Sequence, residues 1–227
     1  MNLKLFFTPP ALEFNLPGNA IGNAFVALQD EAFNIAQMDL ALIGVNTRGE
    51  ADLIRAKLFN LKRSTPTYRM ADLGNLQAGS NQEQTKERLR EVCEFLLGQQ
   101  VIPVIIGGNH ELALGQYLAY ESGQKLISVM NVDAFVDVET EKAESDQFLD
   151  ALLVHQPNYL FSYSHLAHQA YLIDPVALAA LDKLYFESMR LGELRYDIKL
   201  SEPLIRLADM MSFDISAIRS SDAPGNP

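Results

Sequence analysis

The run Leu126-Ile-Ser-Val-Met-Asn-Val132 leads directly into Asp133-Ala-Phe-Val-Asp137. The first segment is apolar and rich in residues that favour β structure, so it predicts a strand. Two carboxylates four residues apart after a strand favour the binding of a hard cation. If the chain stays extended, residues 133, 135 and 137 project to the same side, because side chains alternate along a strand. Asp133 and Asp137 would then converge on one ion, with Phe135 between them.

Two other predicted strands also end in groups that can bind a metal. Val101–Ile106 is followed by Gly107-Gly-Asn-His110, and Asp209–Phe213 is followed by Asp214, with Ser216 two residues further on. Ligands of open parallel sheets bind at the carboxyl ends of the strands. One histidine and three aspartates form a set of nitrogen and oxygen donors that suits manganese or magnesium better than thiophilic metals.

Each of these segments also has a simpler explanation as a turn or a helix cap. Gly107-Gly-Asn109 suits a turn between a strand and a helix, and an aspartate after a strand is a common helix N-cap. Three such segments, in order and each after an apolar run, favour a shared site over three unrelated turns.

The rest of the chain alternates short apolar runs with longer amphipathic segments, which predicts a parallel sheet covered by helices. Strands are predicted over residues 40–45, 70–73, 101–106, 126–132, 158–161 and 209–213. Helices are predicted over residues 50–61, 80–97, 111–120, 147–153, 175–184 and 201–207. The second helix is expected to begin with a capping box, Ser80-Asn-Gln-Glu83. We predict an N-terminal segment with one helix over residues 1–38 and a single, doubly wound α/β domain over residues 39–227.

The amino-acid composition argues against several classes of protein. The 227 residues include 18 Lys and Arg against 29 Asp and Glu, a net charge of −11 that argues against nucleic acid or an anionic membrane surface as the main partner. No apolar stretch approaches the roughly 20 residues of a membrane span. The single cysteine, Cys93, cannot form an internal disulfide; it predicts a helix packing position and a cytoplasmic protein.

The three segments resemble motifs of the ureohydrolase superfamily, which includes arginase, agmatinase and formimidoylglutamase. Those enzymes carry Gly-Gly-Asp-His, Asp-Ala-His-x-Asp and Ser-Phe-Asp-x-Asp on successive strands. This chain reads Gly107-Gly-Asn-His110, Asp133-Ala-Phe-Val-Asp137 and Ser212-Phe-Asp-Ile-Ser216, with further matches at Ile43–Val45, Ala51–Arg55 and Asp222–Gly225. The resemblance implies an arginase-like α/β fold. It also implies that the family sequence continues where this chain stops, so the chain reads as truncated at its C-terminus.

For function, the resemblance implies a site for two manganese ions and the hydrolysis of a linear amidine or guanidine. Carried over position by position, one ion keeps His110, Asp133, Asp137 and Asp214 as its ligands. The resemblance also implies a homo-oligomer with a small-molecule amidine or guanidine substrate.

The second ion would need a histidine at position 135 and an aspartate at position 216, where this chain has Phe135 and Ser216. We therefore expect one ion at most, manganese or else magnesium. No residue is assigned as catalytic: His165-x-x-His168 has the spacing of one helical turn, but it is interpreted as a core or surface pair rather than as a pair of ligands.

Three functions remain open from the sequence. The first is a formimidoylglutamase- or arginase-like hydrolase, and the second is a catalytically inactive relative that binds a metal or ligand or has a structural role. The third, a nucleotide-binding α/β domain, is disfavoured because the chain has neither a Gly-x-Gly-x-x-Gly turn after a strand nor a P-loop.

Overall fold

The computed structural model describes residues 1–12, 14–46, 48–64, 68–136 and 148–223. The chain forms two compact units, Met1–Ser122 and Gly123–Pro227. Each unit contains its own sheet, and the two are described separately below. In the described part of the chain, no helix combines the length and the apolarity that crossing a membrane would require.

The first unit has a five-stranded, mostly parallel sheet. Its strands are β1 (Phe7–Thr8), β2 (Phe25–Ala27), β3 (Leu40–Val45), β4 (Met70–Leu76) and β5 (Ile102–Gly107). The order is β1-β4-β3-β5, β2 also pairs with β4, and only the β1–β4 pairing is antiparallel. The helices are α1 (Glu50–Phe59), α2 (Gln82–Gly98) and α3 (Glu111–Leu118).

Helix α2 packs an apolar face on this sheet. Leu89, Val92, Cys93 and Leu96 are fully buried, and their spacing of three and four residues places them on one side of the helix. Burial raises the pKa of the Cys93 thiol to about 12. The predicted packing position of Cys93 is therefore confirmed.

The start of α2 differs from the predicted capping box. The N-cap is Asn81, whose side chain accepts a hydrogen bond from the Gln84 backbone N–H at 2.8 Å. Ser80 lies one residue earlier, and its hydroxyl donates to the Gln84 side chain. Asparagine at this position satisfies a free helix amide as well as serine does, so the helix begins one residue later than the pattern predicts.

A buried ion cluster ties α1 to β4. Arg55 is fully buried; it donates to Asp52 at 2.8 Å and to the Asn75 side chain at 2.9 Å. Its Nε lies 3.1 Å from Asp72 Oδ2, an ionic contact without good hydrogen-bond alignment. Burial raises the pKa of the Asp72 carboxyl, and the charge of Arg55 opposes that shift. One cation thus compensates two carboxylates inside the fold.

The second unit has a four-stranded sheet in which every pairing is parallel. Its strands are β6 (Ile127–Val132), β7 (Leu160–His168), β8 (Glu187–Arg190) and β9 (Met210–Phe213), in the order β8-β7-β6-β9. The helices are α4 (Phe148–Val154), α5 (Pro175–Lys183), α6 (Leu191–Tyr196) and α7 (Glu202–Leu207). One cluster of its core contains Met130, Leu166, Ala167 and Leu194.

The predicted α/β class with mostly parallel sheets is confirmed. Each of the six predicted strands and six predicted helices begins within two residues of its expected start, although residue 147 lies outside the described residues. Strand β8 and helix α6 were not predicted. Whether residues 39–227 behave as one domain stays a prediction, since the described strands form one sheet in each unit.

The helix predicted within residues 1–38 is wrong. The described residues of this segment contain three single-turn 3-10 helices, Leu3–Leu5, Ile21–Ala24 and Ile35–Gln37, and the short strands β1 and β2. Pro9, Pro10 and Pro17 cannot donate backbone hydrogen bonds. The segment between Pro10 and Pro17 is too short to nucleate a regular α-helix. After Pro17, residues Phe25–Ala27 pair with β4 as a strand instead.

Candidate metal centre

Asp133 begins a tight turn directly after β6. The Phe135 backbone N–H donates to Asp133 Oδ1 at 3.0 Å, which is the hydrogen bond of an Asx turn. The extended conformation predicted for residues 133–137 is therefore wrong as far as Val136, because the carboxylate bonds to its own backbone and bends the chain. Asp133 is 3% exposed and Phe135 is 36% exposed. Asp137 lies outside the described residues.

Asp214 occupies the equivalent place after β9. Its Oδ1 accepts a hydrogen bond of 2.7 Å from the Ser216 backbone N–H, and it caps a short 3-10 helix, Ile215–Ala217. The alternative interpretation of this aspartate as a helix cap is thus correct for one of its oxygens.

The two aspartates are neighbours because their strands are paired. Val132 of β6 lies opposite Phe213 of β9, so the residues that follow them leave the sheet side by side. One carboxylate oxygen of Asp133 lies within 4.8 Å of one of Asp214. The predicted convergence of acidic groups at these two strand ends is therefore present.

Ser216 links the two strand ends through its hydroxyl. Its Oγ donates to Asp133 Oδ1 at 2.6 Å and accepts a hydrogen bond from the Ala134 backbone N–H at 3.2 Å. A hydrogen bond to a carboxylate at this distance is of the stronger, charge-assisted kind. Sequence reasoning identified position 216 but missed this contact, since the strand pairing that creates it is not visible in the motif.

His165 supports Asp133 from the neighbouring strand. Its ring lies in β7, fully buried, with Nδ1 3.0 Å from the Tyr163 hydroxyl and Nε2 3.2 Å from the Asp133 carbonyl oxygen. The latter distance allows Nε2–H to donate to that carbonyl. His165 therefore holds the backbone of Asp133 and does not face its carboxylate through this contact.

His168 lies at the end of the same strand and is also buried. Burial lowers its pKa, Glu193 opposes the shift, and Arg190 adds to it. The two histidines lie in a strand and not in a helical turn, with Ala167 between them at a φ of 71°. Both histidines are buried, which agrees with the core alternative of the predicted core or surface pair.

His110 belongs to the first unit, where it immediately precedes α3. Gly107 and Gly108 lead into it with φ values of 81° and 79°, a left-handed conformation that favours glycine. A Cβ at Gly107 would also collide with the Val45 carbonyl oxygen. The two glycines are thus required by the turn that carries His110.

A family model described as the arginase family matches residues 46–226. The chain belongs to the arginase family. Among curated proteins it is similar to a formimidoylglutamase of Geobacillus, 29% identical over 90 residues, which are 37% of this chain and 28% of that protein. It is also similar to the formimidoylglutamase of Rhodococcus opacus, 30% identical over 100 residues, which are 41% and 31% of the two chains. The chain therefore covers less than a third of the length of either relative.

Solved structures of arginase-family proteins share the fold. Trypanosoma cruzi formiminoglutamase, solved with Mn²⁺, has a TM-score of 0.76 and 20% identity, over 91% of this chain and 78% of that chain. Bacillus subtilis formimidoylglutamase has a TM-score of 0.75 and 18% identity, over all of this chain and 80% of that chain.

Asp133 and Asp214 fit the family's requirement for oxygen donors to a divalent ion, whereas two other positions of the family pattern do not. Asp133 and Asp214 supply hard oxygen donors of the kind that manganese and magnesium bind. At the two positions where the family pattern has private ligands of a second ion, Phe135 offers no donor atom, and the Ser216 hydroxyl is hydrogen-bonded to Asp133. A neutral hydroxyl does not replace the charge of a carboxylate.

Proposed function

We propose that this arginase-family chain binds one divalent ion, manganese or else magnesium, and hydrolyses the C–N bond of a linear amidine. The observation that carries the proposal is the pair of aspartates at the ends of β6 and β9, with carboxylate oxygens within 4.8 Å of each other. Two carboxylates this close repel each other unless a proton or a cation compensates them. A divalent cation allows both to stay ionised.

The ligands we propose are His110, Asp133, Asp137 and Asp214. The local geometry supports the two aspartates that follow β6 and β9, and the position of His110 after its glycine turn matches the family motif. Asp137 is proposed from the spacing of the motif alone. When bound, a divalent ion lowers the pKa of a coordinated water and stabilises negative charge that develops on the substrate.

The protein's own contribution is to fix the carboxylates before any ligand arrives. Asp133 is held by the Phe135 amide, by the Ser216 hydroxyl and, at its carbonyl, by His165. The hydrogen bonds from the Phe135 amide and the Ser216 hydroxyl both end on Oδ1 of its side chain. Asp214 likewise uses Oδ1 for its cap.

We propose formimidoylglutamate as the first substrate to test, because the curated relatives are named formimidoylglutamases. The experiment measures the release of formamide or urea from formimidoylglutamate, arginine and agmatine with added Mn²⁺, together with the metal content per chain. We expect turnover of formimidoylglutamate with one ion bound, and loss of both in Asp214→Asn. Turnover no faster than in buffer would reject the proposed activity.

The second candidate is a catalytically inactive relative that binds a metal or ligand. Phe135 and the Ser216–Asp133 hydrogen bond favour it, because both occupy places of second-metal ligands in the family pattern. Restoring the pattern with Phe135→His and Ser216→Asp should raise the metal content from one ion to two and create or increase turnover. A double variant that still binds one ion would show that the second site was lost for another reason.

Homo-oligomeric assembly and a cytoplasmic location are proposed from the family resemblance and from the cysteine content. Size-exclusion chromatography with light scattering would test the assembly, and fractionation of the source cells would test the location.

A further inference from the structure

A cavity of about 420 Å³ opens beside Ser216 in the second unit. Its lining comes from segments that follow all four parallel strands: Phe135 after β6, Gln169 after β7, Arg195 on α6 after β8, and Arg219 after β9. The carboxyl ends of parallel strands are where ligands of open α/β sheets bind. The volume is within the range of about 300–1,000 Å³ of small-molecule sites.

The charge of this cavity is opposite to that of the whole chain. The chain carries 29 acidic and 18 basic residues, yet the charged side chains that line the cavity, among the described residues, are Arg195 and Arg219. Both side chains are exposed. Neither forms an ion pair within the described ranges. Two guanidinium groups without carboxylate partners in one cavity favour an anion, which they can bind through paired N–H donors.

The neutral polar groups of the lining also offer hydrogen-bond donors. The Tyr171 hydroxyl donates to Gln169 Oε1, so the NH2 group of Gln169 remains for a ligand. Ser220 and Ser221 add two hydroxyls to the lining. Phe135 and Leu191 add apolar surface that suits the methylene groups of a short aliphatic chain.

The acidic pair lies immediately behind this cavity. The Ser216 side chain, which lines the cavity, contacts Asp133 at 2.6 Å, and its backbone N–H contacts Asp214 at 2.7 Å. Two carboxylates therefore contact one lining residue of a cavity whose charged lining, among the described residues, is basic. A ligand with a cationic amidine at one end and carboxylates at the other complements both.

From this charge arrangement we infer that Arg195 and Arg219 are the specificity-determining residues of the site, which selects an amidine with terminal carboxylates over one with a terminal amine. This inference rests on the proposed function, because that function supplies the amidine end of the substrate. It ranks formimidoylglutamate first and agmatine, whose far end is an ammonium group, last.

The test is calorimetric binding to the full chain in EDTA, so that neither metal nor turnover is needed. The probes are N-formyl-L-glutamate, agmatine and inorganic phosphate. We expect N-formylglutamate to bind most tightly and to weaken as sodium chloride is raised, because exposed charges are screened by salt. Agmatine binding as tight as N-formylglutamate would overturn the inference, and so would phosphate binding of equal affinity, which would indicate a general anion site.

Variants assign the binding to the two arginines. Arg195→Gln and Arg219→Gln should each weaken N-formylglutamate binding about fivefold, and the double variant about twentyfold, as expected for partly screened charges. Arg195→Lys should recover part of the loss. Arg206→Gln is the matched control, since Arg206 is an exposed arginine of the same unit that pairs with Glu202 and does not line the cavity. Wild-type affinity in the folded double variant would reject the assignment.

The two proposals fail in different ways. If formimidoylglutamate is not hydrolysed but N-formylglutamate binds through the arginines, the proposed activity is rejected and the specificity site is supported. If formimidoylglutamate is hydrolysed and the variant with both Arg195→Gln and Arg219→Gln keeps the wild-type KM, the specificity site is rejected and the proposed activity is supported.

Discussion

Ser216 donates a hydrogen bond to Asp133 from a position where the family pattern has a metal-binding aspartate. Its hydroxyl satisfies one hydrogen bond of the Asp133 carboxylate. An aspartate at this position would instead add a second negative charge next to that carboxylate. The serine therefore stabilises the strand ends without any ion. This makes the metal-free fold less dependent on a cation.

Removing this hydroxyl should measure its contribution to stability. Ser216→Ala leaves one donor fewer on the buried carboxylate of Asp133, and we expect a loss of about 1–2 kcal/mol in the free energy of unfolding without metal. Urea unfolding followed by circular dichroism gives the value. Ser221→Ala is the control, because Ser221 is exposed and lies outside this contact. A loss of equal size in both variants would show that the Ser216–Asp133 bond contributes nothing specific.

The buried Arg55 joins helix α1 to strand β4. Arg55→Ala would leave Asp52 and Asp72 buried without their cation, and breaking a buried pair from one side costs about 3–5 kcal/mol. We expect a loss of this order in the free energy of unfolding by urea. Lys57→Ala on the exposed side of the same helix should change it by less than about 0.5 kcal/mol. Near-equal stability of the two variants would contradict a structural role for the cluster.

Strands β3 and β4 are held together at their starts by an exposed ion pair. Asp39 accepts from the Arg69 side chain at 2.7 Å and from its backbone N–H at 2.7 Å, and these bonds lower the pKa of Asp39 from 3.8 to about 2. Because the folded-state pKa is the lower one, the stabilisation is present above pH 3.8 and is lost as the pH falls towards 2.

We therefore expect the difference in melting temperature between the wild type and Asp39→Asn to be constant from about pH 7 to pH 5. It should shrink between pH 4 and pH 2, where the wild-type carboxylate becomes protonated. Thermal unfolding at a series of pH values measures the difference. A gap that stays unchanged down to pH 2 would assign the effect of the substitution to something other than the charge of Asp39.

Elements differ in how far their sequence predicts them. Strand β3 matches its predicted bounds, because Leu40–Val45 is apolar throughout and is buried for nearly all its length. Strand β8, Glu187-Ser-Met-Arg190, was missed because it is a polar edge strand with no apolar run to mark it. The turn at Asp133 was not predicted for a different reason. The spacing of Asp133, Phe135 and Asp137 is that of a strand, but the Asp133 carboxylate accepts a hydrogen bond from the Phe135 backbone N–H and bends the chain.

The family and the fold class follow from motifs that lie far apart in the sequence. The proposed metal positions could be predicted because each motif comes directly after a strand. The cavity lined by Arg195 and Arg219 could not, since it depends on α6 and on the register of four strands, neither of which leaves a pattern in the sequence.

Metal binding should be visible in the stability of the whole chain. An ion that binds only the folded state stabilises it by about 2.7 kcal/mol at a concentration one hundred times its Kd. Mn²⁺ should therefore raise the melting temperature of the wild type in a concentration-dependent way and leave Asp214→Asn unchanged. Differential scanning calorimetry with Ca²⁺ as a comparison ion checks this. An equal shift in wild type and variant would place the ion elsewhere.

The paired Asx turns have a consequence for how an ion would bind. Asp133 and Asp214 each have Oδ1 fixed by the amide two residues later, so the rotamers of both side chains are set by the backbone. Ordering a carboxylate for a cation normally costs side-chain entropy, and here folding has already restricted that freedom. Affinity should then depend chiefly on removing water from the ion and the carboxylates, and the entropy of binding should be dominated by released solvent.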